Sequence, residues 1–263
     1  MRAGAPALPT VLRTCTRTPR FLGPLTGYQL RAIVFDIASP LNQNLCFQHA
    51  QPLSDIMLAI VDYKAGNLTS VQLAFGALGC DTTVTSDPAK IRAAERVVFP
   101  GVGAAGSAMA HLDALGLAPA LRDVTVRGTP FLGICLGTQI LFDASEEDGG
   151  TVTLGLLPGR AVRFRPSDRR DKVPQIGWNQ VKAARPHPLL AGIADESEFY
   201  FVHSYYPAPA DPSLTLGTTC YAGVTFSSMV ARGNVAATQF HPEKSGRIGL
   251  RLLENFLRWT PDT

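Results

Sequence analysis

The sequence predicts an α/β fold, with a central, mostly parallel sheet flanked by helices and a smaller mixed or antiparallel sheet. Two sequence patterns, one on each side of Gly150, predict this fold. Up to Gly150, short apolar runs alternate with segments of helical period, which is typical of parallel strands joined by helices. Past Gly150, short strands are separated by Pro and Gly, which favours mixed or antiparallel pairing. With 46% hydrophobic and 17% charged residues, the 263-residue chain can bury a large core.

The elements follow from these patterns in chain order. The helical face of 67–79 ends at Gly79, and the last helix closes the chain. The predicted strands are 58–61, 82–85, 96–99, 131–134, 152–153, 161–164, 180–182, 199–203, 215–219 and 236–239. The predicted helices are 67–79, 107–115, 136 to about 144, and 246–259, whereas 121–126 has no clear assignment.

The first 56 residues differ from the rest. They carry five Arg and two Asp, a net charge of +3, whereas residues 57–263 carry 19 basic and 19 acidic side chains. One interpretation is an Arg-rich, acid-poor targeting peptide. The favoured one is that translation naturally begins at Met57, which opens an apolar strand. Residues 1–56 are therefore expected to be a poorly ordered extension of one domain at 57–263.

Charge and cysteine usage exclude several classes of protein. Residues 57–263 have no net charge and so lack the basic excess of a nucleic-acid binder. No apolar stretch is long enough to predict a membrane-spanning helix. Five cysteines without a Cys-x-x-Cys pair predict neither a disulfide framework nor a zinc site. We therefore expect a cytoplasmic protein without a metal or cofactor.

The sharpest local motif is Gly133-Ile134-Cys135-Leu136-Gly137, between a buried strand and a helix. It has the pattern of a nucleophile elbow with Cys as the nucleophile. The sharp turn crowds the backbone, and the small residues two positions to either side relieve that crowding. The helix N-terminus favours a thiolate. A buried Cys flanked by glycines by chance is the alternative.

A nucleophilic thiol needs a base, and the base needs a group that orients it. His241 and Glu243 follow the strand predicted at 236–239, at the edge where open α/β sheets place their sites. In an extended segment, residues two apart point the same way, and Pro242 is expected to keep the segment from coiling. Without the elbow, a polar turn would be the better interpretation of this motif.

The third element is Pro100-Gly101-Val102-Gly103, after the strand at 96–99. A thiolate that attacks a carbonyl creates an oxyanion, and Gly101 and Gly103 would let backbone N–H donors approach it. Residues 101–106 also match G-x-G-x-x-G, which leaves a dinucleotide site as an alternative. That motif follows the third strand of the body, and no acidic residue stands at the expected distance, so the oxyanion interpretation is favoured.

Together, Gly133–Gln139 and Phe240–Glu243 resemble the class I (triad) glutamine amidotransferases. The resemblance implies a flavodoxin-like fold and a glutaminase triad of Cys135 as nucleophile, His241 as base and Glu243 as its orienter. It also implies an oxyanion hole formed by the N–H of Leu136 and the strand at Gly101 and Gly103. Gln139 would help to hold the glutamine.

Further segments narrow the likeness, above all Gly177-Trp178-Asn179 and His203-Ser204-Tyr205-Tyr206. They are similar to the glutaminase subunits of imidazole glycerol phosphate synthases, over most of the chain from Met57. The resemblance implies that the backbone of Ser204 and Tyr205 contacts glutamine. It also implies a heterodimer in which Asn67, Trp178 and Lys244 face a (β/α)8-barrel cyclase. That subunit would receive the ammonia and form imidazole glycerol phosphate and aminoimidazole carboxamide ribotide in histidine biosynthesis.

Some alternatives remain open at this stage. Trp178 could be a core aromatic and Lys244 a solvated charge. Lys64, Thr138 and Gln175 depart from common family residues, which affects details of loop shape. A cysteine peptidase, a chaperone-like hydrolase, a non-catalytic binding domain and other amidotransferase subunits are the competing classes. The strand at 101–103 is hypothesised to be incomplete until a partner binds.

Overall fold

The structure is a computed structural model that describes residues 53–64 and 66–261. The expectation of poor order for residues 1–52 therefore lies outside the described part of the chain. Leu53–Asp55 forms one 3-10 turn, and Ile56 is buried against the core. The packed body thus includes residues upstream of Met57.

Nine strands form the main sheet in the order β2-β1-β3-β4-β13-β12-β11-β8-β9. The strands from β2 to β13 pair in parallel, and those from β13 to β9 pair antiparallel. The order of the parallel half is that of flavodoxin-like folds. A second sheet, β10-β7-β5-β6, is mixed. The predicted fold class is confirmed, although the antiparallel strands extend the main sheet and do not all belong to the smaller one.

The bounds of the elements are as follows. The main-sheet strands are β1 Leu58–Val61, β2 Thr82–Thr85, β3 Arg96–Gly101, β4 Phe131–Cys135, β8 Gln175–Ala183, β9 Ser197–His203, β11 Thr215–Tyr221, β12 Val224–Arg232 and β13 Val235–Thr238. The second sheet has β5 Ala144–Ser145, β6 Thr151–Val152, β7 Gly159–Arg163 and β10 Tyr205–Pro209. The helices are α1 Leu68–Ala77, α2 Pro88–Ala93, α3 Ala105–Ala114, α4 Leu117–Val126, α5 Leu136–Gln139 and α6 Gly246–Arg258.

The strands β1, β3 and β4 at the centre of the parallel half are buried on both faces, which explains why they are mostly apolar, whereas the edge strand β2 is partly exposed. Along β1, Leu58 and Ile60 pack into one core, and Ala59 and Val61 pack into the other. Helices α1 and α6 contribute Phe75 and Phe256, among others, to the first core, whereas α3 and α4 pack on the second.

The helix predicted from Leu136 to about residue 144 is too long. The helix α5 ends at Gln139, and Ala144–Ser145 is a strand. The carbonyls that would continue the helix accept hydrogen bonds from a distant segment. Leu154 donates to Ile140, and both Leu156 and Leu157 donate to Leu141. A long-range contact therefore ends the helix.

Within the described residues, no helix is long and apolar enough to cross a membrane.

Candidate active site

The parallel strands bring Cys135 and the segment after β13 to the same edge of the sheet. Strand β13 pairs with β4, with Thr238 opposite Ile134. On the other side, β3 pairs with β4, with Gly101 opposite Cys135. The ends of three neighbouring strands therefore surround the thiol, as predicted for the carboxyl edge of an open sheet.

The turn at Cys135 has the strained backbone expected of a nucleophile elbow. Its φ of 55° and ψ of −110° are rare for a residue with a side chain. The flanking glycines leave space that a side chain would fill, tightly at Gly133 and prohibitively at Gly137. A Cβ atom at Gly133 would lie 3.1 Å from three atoms, and one at Gly137 would lie well under 3.0 Å from the carbonyl oxygen of Phe99.

His241 and Glu243 form a buried pair beside the elbow. Nδ1 of His241 lies 2.7 Å from Oε1 of Glu243, and both side chains are fully buried. The prediction that this segment stays extended is wrong. Pro242–Lys244 forms a 3-10 turn, in which Lys244 donates to the carbonyl of His241. The two side chains meet across that turn.

Asn67 contacts the same pair, although the resemblance assigns it to the partner interface. Its Nδ2 donates to Oε1 of Glu243 at 2.7 Å and lies 3.5 Å from Nδ1 of His241. Asn67 precedes α1 with a φ of 75°, a conformation that Asn tolerates better than most residues. The loop after β1 therefore supports the same carboxylate oxygen that the imidazole contacts.

The other ring nitrogen of His241 is free to act on the thiol. Nε2 is buried and makes no hydrogen bond of regular geometry within the described residues. Burial lowers the pKa of His241, but the negative charge of Cys135, hydrogen bonding to that thiolate and Glu243 together raise it to about 10. The arrangement therefore favours the charged imidazolium form of His241 at neutral pH.

Two of the predicted oxyanion residues adjoin the elbow, since Leu136 follows Cys135 in the chain and Gly101 pairs with it across the sheet. Gly101 is buried, and a Cβ placed on it would lie 3.0 Å from Cβ of Leu136 and 3.1 Å from the backbone nitrogen of Gly137. Gly103 lies past the end of β3, is exposed, and has a φ of 99° that favours glycine.

The predicted glutamine-binding residues also converge. Gln139, one turn past the sulfur, donates through Nε2 to the backbone carbonyl of Tyr205 at 3.0 Å. Ser204 lies between β9 and β10, and its carbonyl accepts from the backbone of Phe164. The sulfur itself lies 3.9 Å from the carbonyl oxygen of Val202. The main chain at the end of β9 therefore lies on one side of the thiol.

Trp178 and Lys244 are half-buried at the rim of the site. Trp178 packs edge-on against Tyr200, with ring centroids 6.1 Å apart. The carbonyl of Tyr200 accepts from the backbone of His241. The predicted partner residues are thus one or two contacts from the triad.

Sequence reasoning missed two polar side chains at the site. Gln239 is fully buried, and its Nε2 lies 3.7 Å from the sulfur of Cys135. Tyr63 is buried behind Gly101, its hydroxyl has no partner among the described residues, and burial and the charge of Cys135 raise its pKa. Gln239 ends a predicted strand and Tyr63 follows one, but no sequence pattern points to their contacts.

No group of three or more His, Cys, Asp or Glu side chains in residues 53–64 and 66–261 could hold a metal ion. The chemistry that Cys135, His241 and Glu243 can perform is nucleophilic. A thiolate can attack a carbonyl carbon, and an imidazolium oriented by a carboxylate can then protonate the leaving group.

Comparison with known proteins points to the same chemistry. The family model "Glutamine amidotransferase class-I" matches residues 59–259. The "Imidazole glycerol phosphate synthase subunit HisH" of Desulfovibrio desulfuricans is 54% identical over 208 residues, 77% of this chain and 94% of that protein. The HisH of Dehalococcoides mccartyi is 50% identical over 77% of this chain and 97% of its own length.

Solved structures support the fold. The chain superimposes on the crystal structure of a glutamine amidotransferase with a TM-score of 0.60 at 17% identity, over 76% of this chain and 96% of that one. A glutamine amidotransferase from Thermotoga maritima matches with a TM-score of 0.54 at 16% identity, over 76% of this chain and 80% of that one. On the family model and the identity to its relatives, this chain belongs to the class-I glutamine amidotransferase family.

Proposed function

We propose that this chain is the glutaminase subunit of an imidazole glycerol phosphate synthase, in which it supplies ammonia for histidine biosynthesis. The convergence of Cys135, His241 and Glu243 at one sheet edge carries the proposal. The identity of about half to HisH proteins, over nearly their full length, supports the choice of this branch of the family.

The reaction follows from the roles of the three side chains. The thiolate of Cys135 attacks the side-chain amide carbon of glutamine, and the carbonyl oxygen becomes an oxyanion. The N–H of Leu136 and the strand at Gly101 and Gly103 stabilise that oxyanion. His241 then gives its proton to the departing nitrogen, so ammonia leaves and a thioester remains. Water activated by His241 hydrolyses the thioester to glutamate, while Glu243 holds the ring.

We propose that the ammonia passes to a (β/α)8-barrel cyclase in a heterodimer. Ammonium is not a nucleophile, so the ammonia must reach its acceptor without meeting bulk water. Asn67, Trp178 and Lys244 are the proposed partner contacts. A cytoplasmic setting is proposed with them, because the mechanism needs Cys135 as the free thiol that it is here.

The loop before α1 offers a route by which the partner could act on the site. A Cβ at Gly66 would lie 3.3 Å from the Val102 side chain, next to the oxyanion glycines, and the neighbouring Asn67 binds Glu243. A partner that docks on this loop would bias the strand at 101–103 toward its active geometry. This coupling would prevent glutamine from being wasted when no acceptor is bound.

The test is to mix the chain with a cyclase barrel and measure glutamate release with and without the nucleotide acceptor. We expect the acceptor to accelerate release, and Cys135→Ala to abolish it while the complex still uses added ammonium salt. Glutamate release by Cys135→Ala at the normal rate would refute the proposed nucleophile. Equal rates with and without partner and acceptor would refute the coupling.

A further inference from the structure

A row of buried amide side chains connects the sulfur of Cys135 to the main chain of β10. Nε2 of Gln239 lies 3.7 Å from the sulfur, and Oε1 of Gln239 accepts from Nε2 of Gln139 at 3.0 Å. The same Nε2 of Gln139 donates to the carbonyl of Tyr205 at 3.0 Å. Gln239 and Gln139 are 0% and 4% exposed, so water competes little for these bonds.

The direction of this row is set by the carbonyl of Tyr205, which can only accept. The amide nitrogen of Gln139 must therefore face that carbonyl, and its second N–H is left for Gln239. Gln239 must then present its oxygen to Gln139 and its nitrogen to the sulfur. Turning over either amide would set two acceptors or two donors against each other in a buried site.

The carbonyl of Tyr205 accepts a second hydrogen bond, from the ring of His203. Nδ1 of His203 lies 2.7 Å from the oxygen of Tyr205, so that nitrogen carries the hydrogen. Burial lowers the pKa of His203 to about 3, despite this hydrogen bond, so the ring is neutral at physiological pH. With both lone pairs of the carbonyl used, the orientation of Gln139 has no ready alternative.

We propose that Gln239 is a hydrogen-bond donor to the thiolate of Cys135, held in that orientation by Gln139 and the carbonyl of Tyr205. The inference rests on the proposed function of Cys135 as the nucleophile. An N–H directed at a sulfur favours its charged form over the neutral thiol, because the bond to an anion is the stronger one. Gln239 would therefore keep the nucleophile ionised before glutamine binds.

The test compares Gln239→Met with the unchanged chain, since Met has similar length but no N–H. The other titratable groups that face the sulfur, His241 and Tyr63, stay in place. The readout is the alkylation rate of Cys135 by iodoacetamide as a function of pH, followed on the Cys135 peptide by mass spectrometry. Gln72→Met, on the exposed face of α1, is the matched control.

We expect Gln239→Met to raise the pH of half-maximal alkylation rate by about one unit, as loss of a bond to a charged group implies. At pH values below the midpoint of the unchanged chain, alkylation should therefore be about tenfold slower. In complex with the cyclase, its kcat should fall while its KM for glutamine holds. Gln72→Met should match the unchanged chain in its alkylation rate, its pH of half-maximal rate, its kcat and its KM.

A pH profile of alkylation in Gln239→Met that superimposes on that of the unchanged chain would overturn the inference, whatever happens to glutaminase activity. If Gln239→Met does not fold, Gln239→Glu serves instead, because it keeps the shape and sets a carboxylate against the sulfur. It should slow alkylation by more than tenfold. Retained glutamate release in Cys135→Ala would instead refute the proposed function, so the two failures are distinguishable.

Discussion

Replacing Gly137 with Ala tests whether the elbow needs its glycines for the space they leave. A Cβ at Gly137 would lie well under 3.0 Å from the carbonyl oxygen of Phe99, which belongs to the main chain of β3 and has no rotamer to escape into. A Cβ at Gly133 would meet three atoms at 3.1 Å, so each neighbour must give by only a few tenths of an ångström. Gly76, in helix α1, has no atom within 4 Å of its Cβ direction. The three glycines thus form a graded series.

The expected stabilities follow this order. Gly76→Ala should raise the free energy of unfolding by about 0.5–1 kcal/mol, because Ala loses less backbone entropy in a helix. Gly133→Ala should lower it by about 1 kcal/mol, at the mild end of overpacking. Gly137→Ala should lower it by about 3 kcal/mol or more, because β3 must retreat from the elbow.

That retreat should also impair the reaction. Strand β3 ends at Gly101, opposite Cys135, so moving β3 moves the oxyanion strand away from the sulfur. A misplacement of about 1 Å can reduce a rate about a hundredfold. We therefore expect glutamate release by the cyclase complex to fall by about that factor in Gly137→Ala and to stay unchanged in Gly76→Ala.

Urea unfolding of the three variants measures the stabilities, and glutamate release by the saturated complex measures the activity. The reasoning would be refuted if Gly137→Ala and Gly76→Ala unfolded at the same urea concentration. It would also fail if Gly137→Ala were destabilised but fully active, since β3 and the sulfur would then move together.

Three further outcomes are expected. Tyr63→Phe should leave the free energy of urea unfolding unchanged or raise it by up to about 1 kcal/mol, because the buried hydroxyl has no partner to lose; a clear loss of stability would contradict its isolation. Burial depresses the folded-state pKa of His203 from 6.5 to about 3, so the unfolded chain gains a proton first as the pH falls through this range. The free energy of unfolding should therefore drop by up to about 1.4 kcal/mol per pH unit. His203→Asn, which keeps a donor for the carbonyl of Tyr205, should lack this part of the slope when unfolding is measured across acid pH. Asn67→Leu should lower the kcat of the saturated complex about tenfold, because it removes the donor to Glu243. The affinity for the cyclase is measured in parallel. An unchanged kcat would show that Asn67 acts only at the interface.

The parallel half of the fold was predictable because its determinants are local. The strands β1 and β2 have their predicted bounds, and β4 differs by one residue. In β1 and β4 a buried apolar run marks the strand, and in β2 a run of β-branched residues marks it. The edge at which parallel strands end then places Cys135 near the segment that carries His241. The site was predictable to this extent from chain order and strand direction alone.

Elements that depend on distant partners were not predictable. The helix α5 stops at Gln139 because residues 154–157 bind its next carbonyls, and nothing near Gln139 indicates this. Strand β10 contains Pro207 and Pro209, which argue against a strand, but it pairs with β7 alone at the edge of the second sheet, where proline is tolerated.

Which amide groups of the site donate hydrogen bonds and which accept them depends on three chain segments together. The sequence motifs therefore do not reveal these directions. A glutamine side chain can present either an oxygen or an N–H, and no neighbour in sequence decides which end of Gln239 faces the sulfur. The choice is made by the carbonyl of Tyr205, acting through Gln139. Asn67 is similar, because its amide becomes a donor only where the carboxylate of Glu243 can only accept. Motif residues therefore locate such a site. The orientation of its Gln and Asn side chains, each of which can donate or accept, is set by neighbouring main-chain carbonyls and carboxylates that can only accept.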